Sequence, residues 1–180
     1  KGGTGKTTIT ATLLSALNFN YPEKKSLAID LVPAGHLTYH LYKNPDEIEL
    51  TESIHRMFYD DQYKISDLCH NSRLKNVDII PSTLPLERLD KKQGSSSHTM
   101  IKKHLEKTGN KYDYVFLDMP TTFSFYSVNA LAAADYLLIP ILLETFSVRA
   151  IPDAFYFYEN AKIENPNLKI LGILPNRYNK

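Results

Sequence analysis

Apolar positions along this chain follow two rhythms. Between Thr4 and about Asn18, Ile9, Leu13, Ala16 and Leu17 recur at helical spacing, so a glycine-rich turn is expected to feed an amphipathic helix. Elsewhere the apolar residues are short and contiguous. Ser26–Asp30 and Tyr114–Asp118 are each an apolar run closed by an aspartate, and chain breakers follow at once: Pro33 and Gly35 after the first, Pro120 after the second. Both read as buried strands that deliver a carboxylate to a loop. Val77–Pro81, Tyr136–Pro140 and Lys169–Leu174 are expected as further strands. Leu50–Phe58, Ile65–Leu74, Thr99–Lys107, Val128–Ala133 and Val148–Ala161 are expected as helices, the last with Pro152 near its start. Gly94-Ser95-Ser96-Ser97 is the candidate mobile loop. Strands alternating with helices predict an α/β fold: a doubly wound, mainly parallel sheet with helices on both faces and ligands at the carboxyl ends of its strands.

Composition narrows the class. A length of 180 residues suits one domain, expected to span 1–180, and 43% hydrophobic with 23% charged residues is a globular mix. No apolar run approaches a membrane span. The net charge of +1 gives no bulk attraction to nucleic acid or lipid, and Lys24–Lys25, Lys91–Lys92 and Lys102–Lys103 are isolated pairs rather than a basic stripe. Cys69 is the single cysteine, which excludes an intrachain disulfide and a multi-cysteine metal site within one copy, and fits a reducing, cytoplasmic setting. The chain opens at Lys1 already inside a phosphate-binding motif. Both ends therefore read as cut, with the first strand and the C-terminal part expected outside, and the piece alone is expected to fold poorly.

That motif is Lys1-Gly2-Gly3-Thr4-Gly5-Lys6-Thr7-Thr8. It holds the GK[ST] half of a P-loop, in which glycines let backbone N–H groups turn inward around phosphate oxygens. Gly2, Gly3, Thr4, Gly5, Lys6, Thr7 and Thr8 are thus the candidate nucleotide-binding residues. Lys6 would neutralise phosphate charge and the Thr7 hydroxyl would bind Mg²⁺. A plain glycine-rich turn is the competing reading, and the helix at the required place weighs against it.

KGGTGKTT resembles the deviant Walker A box of the ParA/MinD superfamily. SLAIDLVPAGHLT is similar to that family's switch I, YDYVFLDMP to its Walker B strand, and ADYLLIPILLETFSVRAI to the segment after it. VDIIPSTLPLERLD and ETFSVRAI lean toward ParA-like partition ATPases. The resemblance implies ATP and Mg²⁺ as cofactors and a homodimer formed on ATP binding, with Lys1 reaching the partner's phosphates as a catalytic cation beside Lys6 and Asp30. It implies Asp118 and Asp30 as outer-sphere metal residues with Thr7; capping or turn chemistry is the alternative for either acid. Asn176 of the Asn176-Arg177 pair would bond a base edge, or serve a turn. One position departs from the pattern: Val32 stands where the family carries an acid that orients the attacking water, and valine can do neither acid nor base chemistry. The implied function is an ATP-dependent dimerisation switch in plasmid or chromosome partitioning, with a ParB-like partner, slow hydrolysis, and non-specific DNA bound through residues outside this stretch. A hydrolysis-deficient nucleotide-binding scaffold, a MinD-like membrane-associated ATPase and an ATP-dependent amidoligase of related fold are the alternatives. An iron–sulfur reductase would need two cysteines per subunit.

Two further patterns carry weaker signals. His36 and His40 have the i, i+4 spacing of a metal pair but lack the glutamate of a zinc-protease motif. Phe155–Tyr158 is an aromatic block read as packing rather than base stacking.

Overall fold

A strand that is apolar at successive positions must be covered on both faces, and Ser26–Asp30 (β1) is buried at every residue. It lies inside a four-stranded sheet of order β2-β3-β1-β4, in which β2 is His70–Asn71, β3 Val77–Ile80 and β4 Tyr114–Asp118. β3 and β4 run parallel to β1, and β2 is an antiparallel edge strand. The register on β4 carries Ser26 beside Tyr114 and ends with Asp30 beside Asp118. A second, parallel pair joins β5 (Tyr136–Leu142) to β6 (Lys169–Asn176). The computed structural model describes residues 3–44, 48, 52–59, 63–83, 98–142 and 150–176.

Side-chain alternation along β1 divides the core in two. Ala28 faces α1 (Lys6–Asn20) and α2 (His36–Leu41), where it meets Leu14, Leu37 and Ile79. Leu27 and Ile29 face the other way, toward α3 (His55–Tyr59), α4 (Ile65–Leu68), α5 (Met100–Thr108) and α6 (Phe125–Ala133), which supply Met57, Leu68, Ile101 and Tyr126. Each fully buried Leu or Ile stabilises the fold by about 1.5–3 kcal/mol relative to exposure. Helices thus cover both faces of a mainly parallel sheet, as the alternation of elements predicted. α7 (Ala150–Glu164) packs Ala161 against Leu131 of α6 and Leu168 before β6.

Several boundaries differ from the expectation. The helix expected over Ile65–Leu74 stops at Leu68, because Cys69 turns to extended backbone and His70 and Asn71 pair with Ile79 and Asp78 instead. The Tyr42 hydroxyl meets His70 Nδ1 at 3.0 Å and holds this edge strand in place. Of the segment expected as a helix over Leu50–Phe58, Leu50 and Thr51 lie outside the described residues, and the helix begins only at His55. α6 starts at Phe125, three residues early, since Ser124 caps it by accepting the Ser127 amide at 3.3 Å. The Gly94–Ser97 loop and Val148 also lie outside the described residues.

Candidate nucleotide site

The loop before α1 is shaped by two glycines in the left-handed region, Gly3 at φ 81° and Gly5 at φ 85°, where other residues are strained. Gly5 is the N-cap of α1, and Ile9 N donates to Gly5 O at 2.8 Å, the first bond of the helix. No capping side chain and no acid occupy the first turn. Its amides and the helix dipole therefore present a positive end, suited to a phosphate. Asn176, at the end of β6, donates from Nδ2 to Thr4 O at 2.9 Å. A Cβ added to Gly5 would collide with that same amide group. This bond ties the end of β6 to the loop before α1. Thr8 is exposed and its carbonyl accepts the Thr12 hydroxyl. Lys1, Gly2 and Arg177 lie outside the described residues.

Thr7 and Asp118 are 111 residues apart, yet the Thr7 hydroxyl donates to Asp118 Oδ2 at 2.7 Å. Burial raises Asp118 above the ordinary carboxylate range, against the opposing pull of the Thr7 hydroxyl, of the Lys6 and His36 charges and of the Thr10 side chain. Lys6 answers in kind: burial lowers its pKa while the Asp118 charge works to raise it. A hydroxyl, a carboxylate and an ammonium thus converge at the N-terminus of a helix.

Asp30 sits next to Asp118 across the β1–β4 ladder but is differently engaged. Oδ1 accepts the Val32 amide at 2.9 Å; Oδ2 accepts both the amide and the hydroxyl of Thr38, each at 2.8 Å. The residue has no exposed surface. Burial pushes its pKa up to about 7, the Asp118 charge adding to it and the three donors pulling it down. Val32 contributes only backbone here, its amide to Asp30 and its carbonyl to Gly35 N at 2.8 Å.

Comparison with known proteins agrees with this arrangement. The AAA domain family matches residues 1–170. The chain belongs to that family and is of the ParA/MinD type. This ParA/MinD-type chain is 29% identical over 177 residues to the chromosome partitioning protein ParA of Myxococcus xanthus, covering 97% of the chain and 61% of that protein. Among solved structures, a plasmid partition protein from Borrelia burgdorferi superposes with a TM-score of 0.85 at 26% identity, over 100% of this chain and 76% of that one. A cobyrinic acid a,c-diamide synthase from Mycobacterium smegmatis with bound ADP and magnesium superposes with a TM-score of 0.87 at 27% identity, over 97% and 70%. Several curated relatives are longer, and the chain spans 56–71% of their length.

His36 and His40 are both exposed on α2, and His36 lies close enough to Asp118 for its charge to be felt there. Among the described residues no cluster of three or more His, Cys, Asp or Glu could hold a metal. Of the aromatic block, Phe157 stacks on Phe123 with ring centroids 5.0 Å apart and Tyr158 donates to Leu168 O, but Phe155 and Tyr156 are exposed. Among the described residues no helix is long and apolar enough to cross a membrane. The residue that sequence reasoning passed over is Thr38. Its one signal is that it ends the switch-like stretch SLAIDLVPAGHLT.

Proposed function

We propose that this chain binds Mg-ATP on the Gly3–Thr8 loop and acts as an ATP-dependent dimerisation switch of the ParA type in plasmid or chromosome partitioning, with slow hydrolysis. The observation that carries this reading is the 2.7 Å bond from Thr7 to Asp118 at the start of α1. A hydroxyl already paired with a buried carboxylate is an oxygen donor set of the kind Mg²⁺ prefers, the rest of its shell coming from phosphates and water. Thr7 would hold the ion, with Asp118 and Asp30 accepting from its waters, and when bound it supplies charge that offsets the phosphoryl oxygens. The loop amides and Lys6 bind and orient the phosphates. Asn176 would brace the loop through its bond to Thr4 O.

Lys1 is assigned a role in trans. In a homodimer it would lie against the partner's phosphates, a device worth about 10³–10⁵ in rate for phosphoryl transfer. The state so formed would offer a surface for DNA and be undone by hydrolysis that a ParB-like partner stimulates, in a cytoplasmic setting. Position 32 favours a second reading. With Val32 in place of a water-orienting acid, the chain could persist as an ATP-closed scaffold that assembles without turning over.

Fluorescent-nucleotide binding and light scattering on the full-length protein test the first reading. Mg-ATP should bind and drive dimerisation, and Lys1→Ala should bind it but stay monomeric; dimerisation unchanged in Lys1→Ala removes the role in trans. Single-turnover hydrolysis with and without DNA and partner separates switch from scaffold. A rate unmoved by either addition favours the scaffold.

A further inference from the structure

The bonds that end on Asp30 do not stop there. Thr38 gives its amide and its hydroxyl to one carboxylate oxygen, and that same hydroxyl oxygen accepts the Ser82 amide at 2.9 Å. Thr38 is 3% exposed. The end of β1, the first turn of α2 and the chain leaving β3 therefore meet at one buried side chain. The contact is close on its other side as well, because a Cβ added to Gly35 would stand 3.1 Å from Ser82 O. Among the described residues the buried Ser82 hydroxyl has no hydrogen-bond partner, and the Ser82 amide is anchored on Thr38.

We propose that Thr38 is a positioning residue that aims the Asp30 carboxylate and relays changes at the nucleotide site to the segment after β3 through Ser82. The proposal rests on the reading of the loop as an ATP site. Its physical basis is the geometry of a carboxylate, which has about four acceptor directions. Two on Oδ2 are taken by Thr38 and one on Oδ1 by Val32, so the direction left for a ligand-bound water is set by how Thr38 holds the group. Any tilt of Asp30 toward such a water pulls on the Thr38 hydroxyl. Because that oxygen also receives the Ser82 amide, the pull is felt one strand away from the ligand. Valine at position 38 would fill nearly the same space and keep the backbone bond, while removing the hydroxyl that joins the two.

Hydrogen exchange on the full-length protein, with and without Mg-ATP, reads this directly. In the wild type Mg-ATP should slow exchange at the first-turn amides of α1 and at Ser82. In Thr38→Val the α1 response should persist while the Ser82 response shrinks by roughly 2- to 10-fold, the range expected for one hydrogen bond, and Thr38→Ser should restore it. An equal Ser82 response in wild type and Thr38→Val overturns the proposal, as does a wild type in which α1 responds and Ser82 does not. Should Thr38→Val fail to fold, Asp30→Asn takes its place: it should blunt the Ser82 response, and an undiminished one is again fatal. A wild type with no α1 response brings down the ATP reading itself, and this inference with it.

Discussion

Asp118 and Asp30 close neighbouring parallel strands at the same level, side by side in the ladder, and the structure uses them in opposite ways. Asp118 receives the Thr7 hydroxyl from a helix far away in sequence and faces Lys6. Asp30 is enclosed by donors from its own following residues, Val32 and Thr38. The difference lies after the strand. Beyond Asp30 the Pro33–Gly35 turn swings the chain back so that α2 presents an amide and a hydroxyl to the acid, whereas beyond Asp118 the chain runs through Met119 and Pro120 to a helix beginning only at Phe125. An acid whose neighbours satisfy it is architecture first; one left for a distant helix is free to meet a ligand.

The sharpest break of this contrast is Asp118→Asn. Removing a group that bonds directly to Thr7 should cut single-turnover ATP hydrolysis by about 10²–10⁴, the range for a positioned charged or acid–base group, and abolish the gain in nucleotide affinity on adding Mg²⁺. The stability of the ligand-free protein should hold, because a buried charge is relieved at the same time. Hydrolysis at the wild-type rate would show that Asp118 is no more than a structural partner of Thr7.

Asp30→Ala should reverse the pattern. It leaves the amides of Val32 and Thr38 without an acceptor at a buried position, and each such loss costs roughly 1–3 kcal/mol. After allowing for the relieved charge, a net destabilisation of about 2–3 kcal/mol is expected, read in denaturant melts. Asp118→Ala, which strips an acceptor from threonine side chains rather than from backbone amides, should cost clearly less. Equal losses would erase the distinction between the two acids.

That distinction shows what could be read from residues alone. The strands Ser26–Asp30 and Tyr114–Asp118, the P-loop and the helix after it were legible, because contiguous apolar runs with terminal acids and a glycine-lysine-threonine turn are local signals. What each acid bonds to was not, since Thr7 reaches Asp118 across 111 residues. Thr38 was hidden for a similar reason. A threonine in a helix carries no mark of the carboxylate it will hold until the turn before it is folded. The periodicity of the neighbouring residues predicts a helix through His70 and Asn71, and only pairing with β3 makes them a strand.

Val32→Asp probes the loop between the two acids. Val32 is half-buried and offers only backbone bonds, so an aspartate there would add the missing water-orienting group without breaking the bonds to Asp30 and Gly35. Single-turnover hydrolysis should rise by about 10-fold, short of the full 10²–10⁴ of a native acid–base group because a third carboxylate would join two already raised by burial. An unchanged rate would place the limiting step elsewhere, in dimer formation or in the partner.

The smallest effect is on pH, and it separates the acids once more. Both have pKa values raised in the folded state, Asp30 to about 7. Between the ordinary carboxylate range and pH 7 the folded protein therefore holds a proton on Asp30 that the unfolded chain has released. Linkage then makes the ligand-free protein more stable at low pH within that window, the contribution fading as pH rises through about 7. His55 opposes this, because burial and the neighbouring Arg56 lower its pKa, so the folded state resists the proton that the unfolded chain takes up as pH falls. Comparing variants removes that background. Between pH 8 and pH 5.5 the wild type should gain about 2 kcal/mol, or several degrees in Tm, relative to Asp30→Asn. Asp118→Asn should keep most of that gain, since the larger shift belongs to the acid with no exposed surface. Mg-ATP should bind more tightly as pH rises through 7, because a protonated carboxyl accepts less well from a cation's water. If Asp118→Asn loses the pH-linked stability and Asp30→Asn keeps it, the buried proton belongs to the ligand-facing acid and the contrast is inverted.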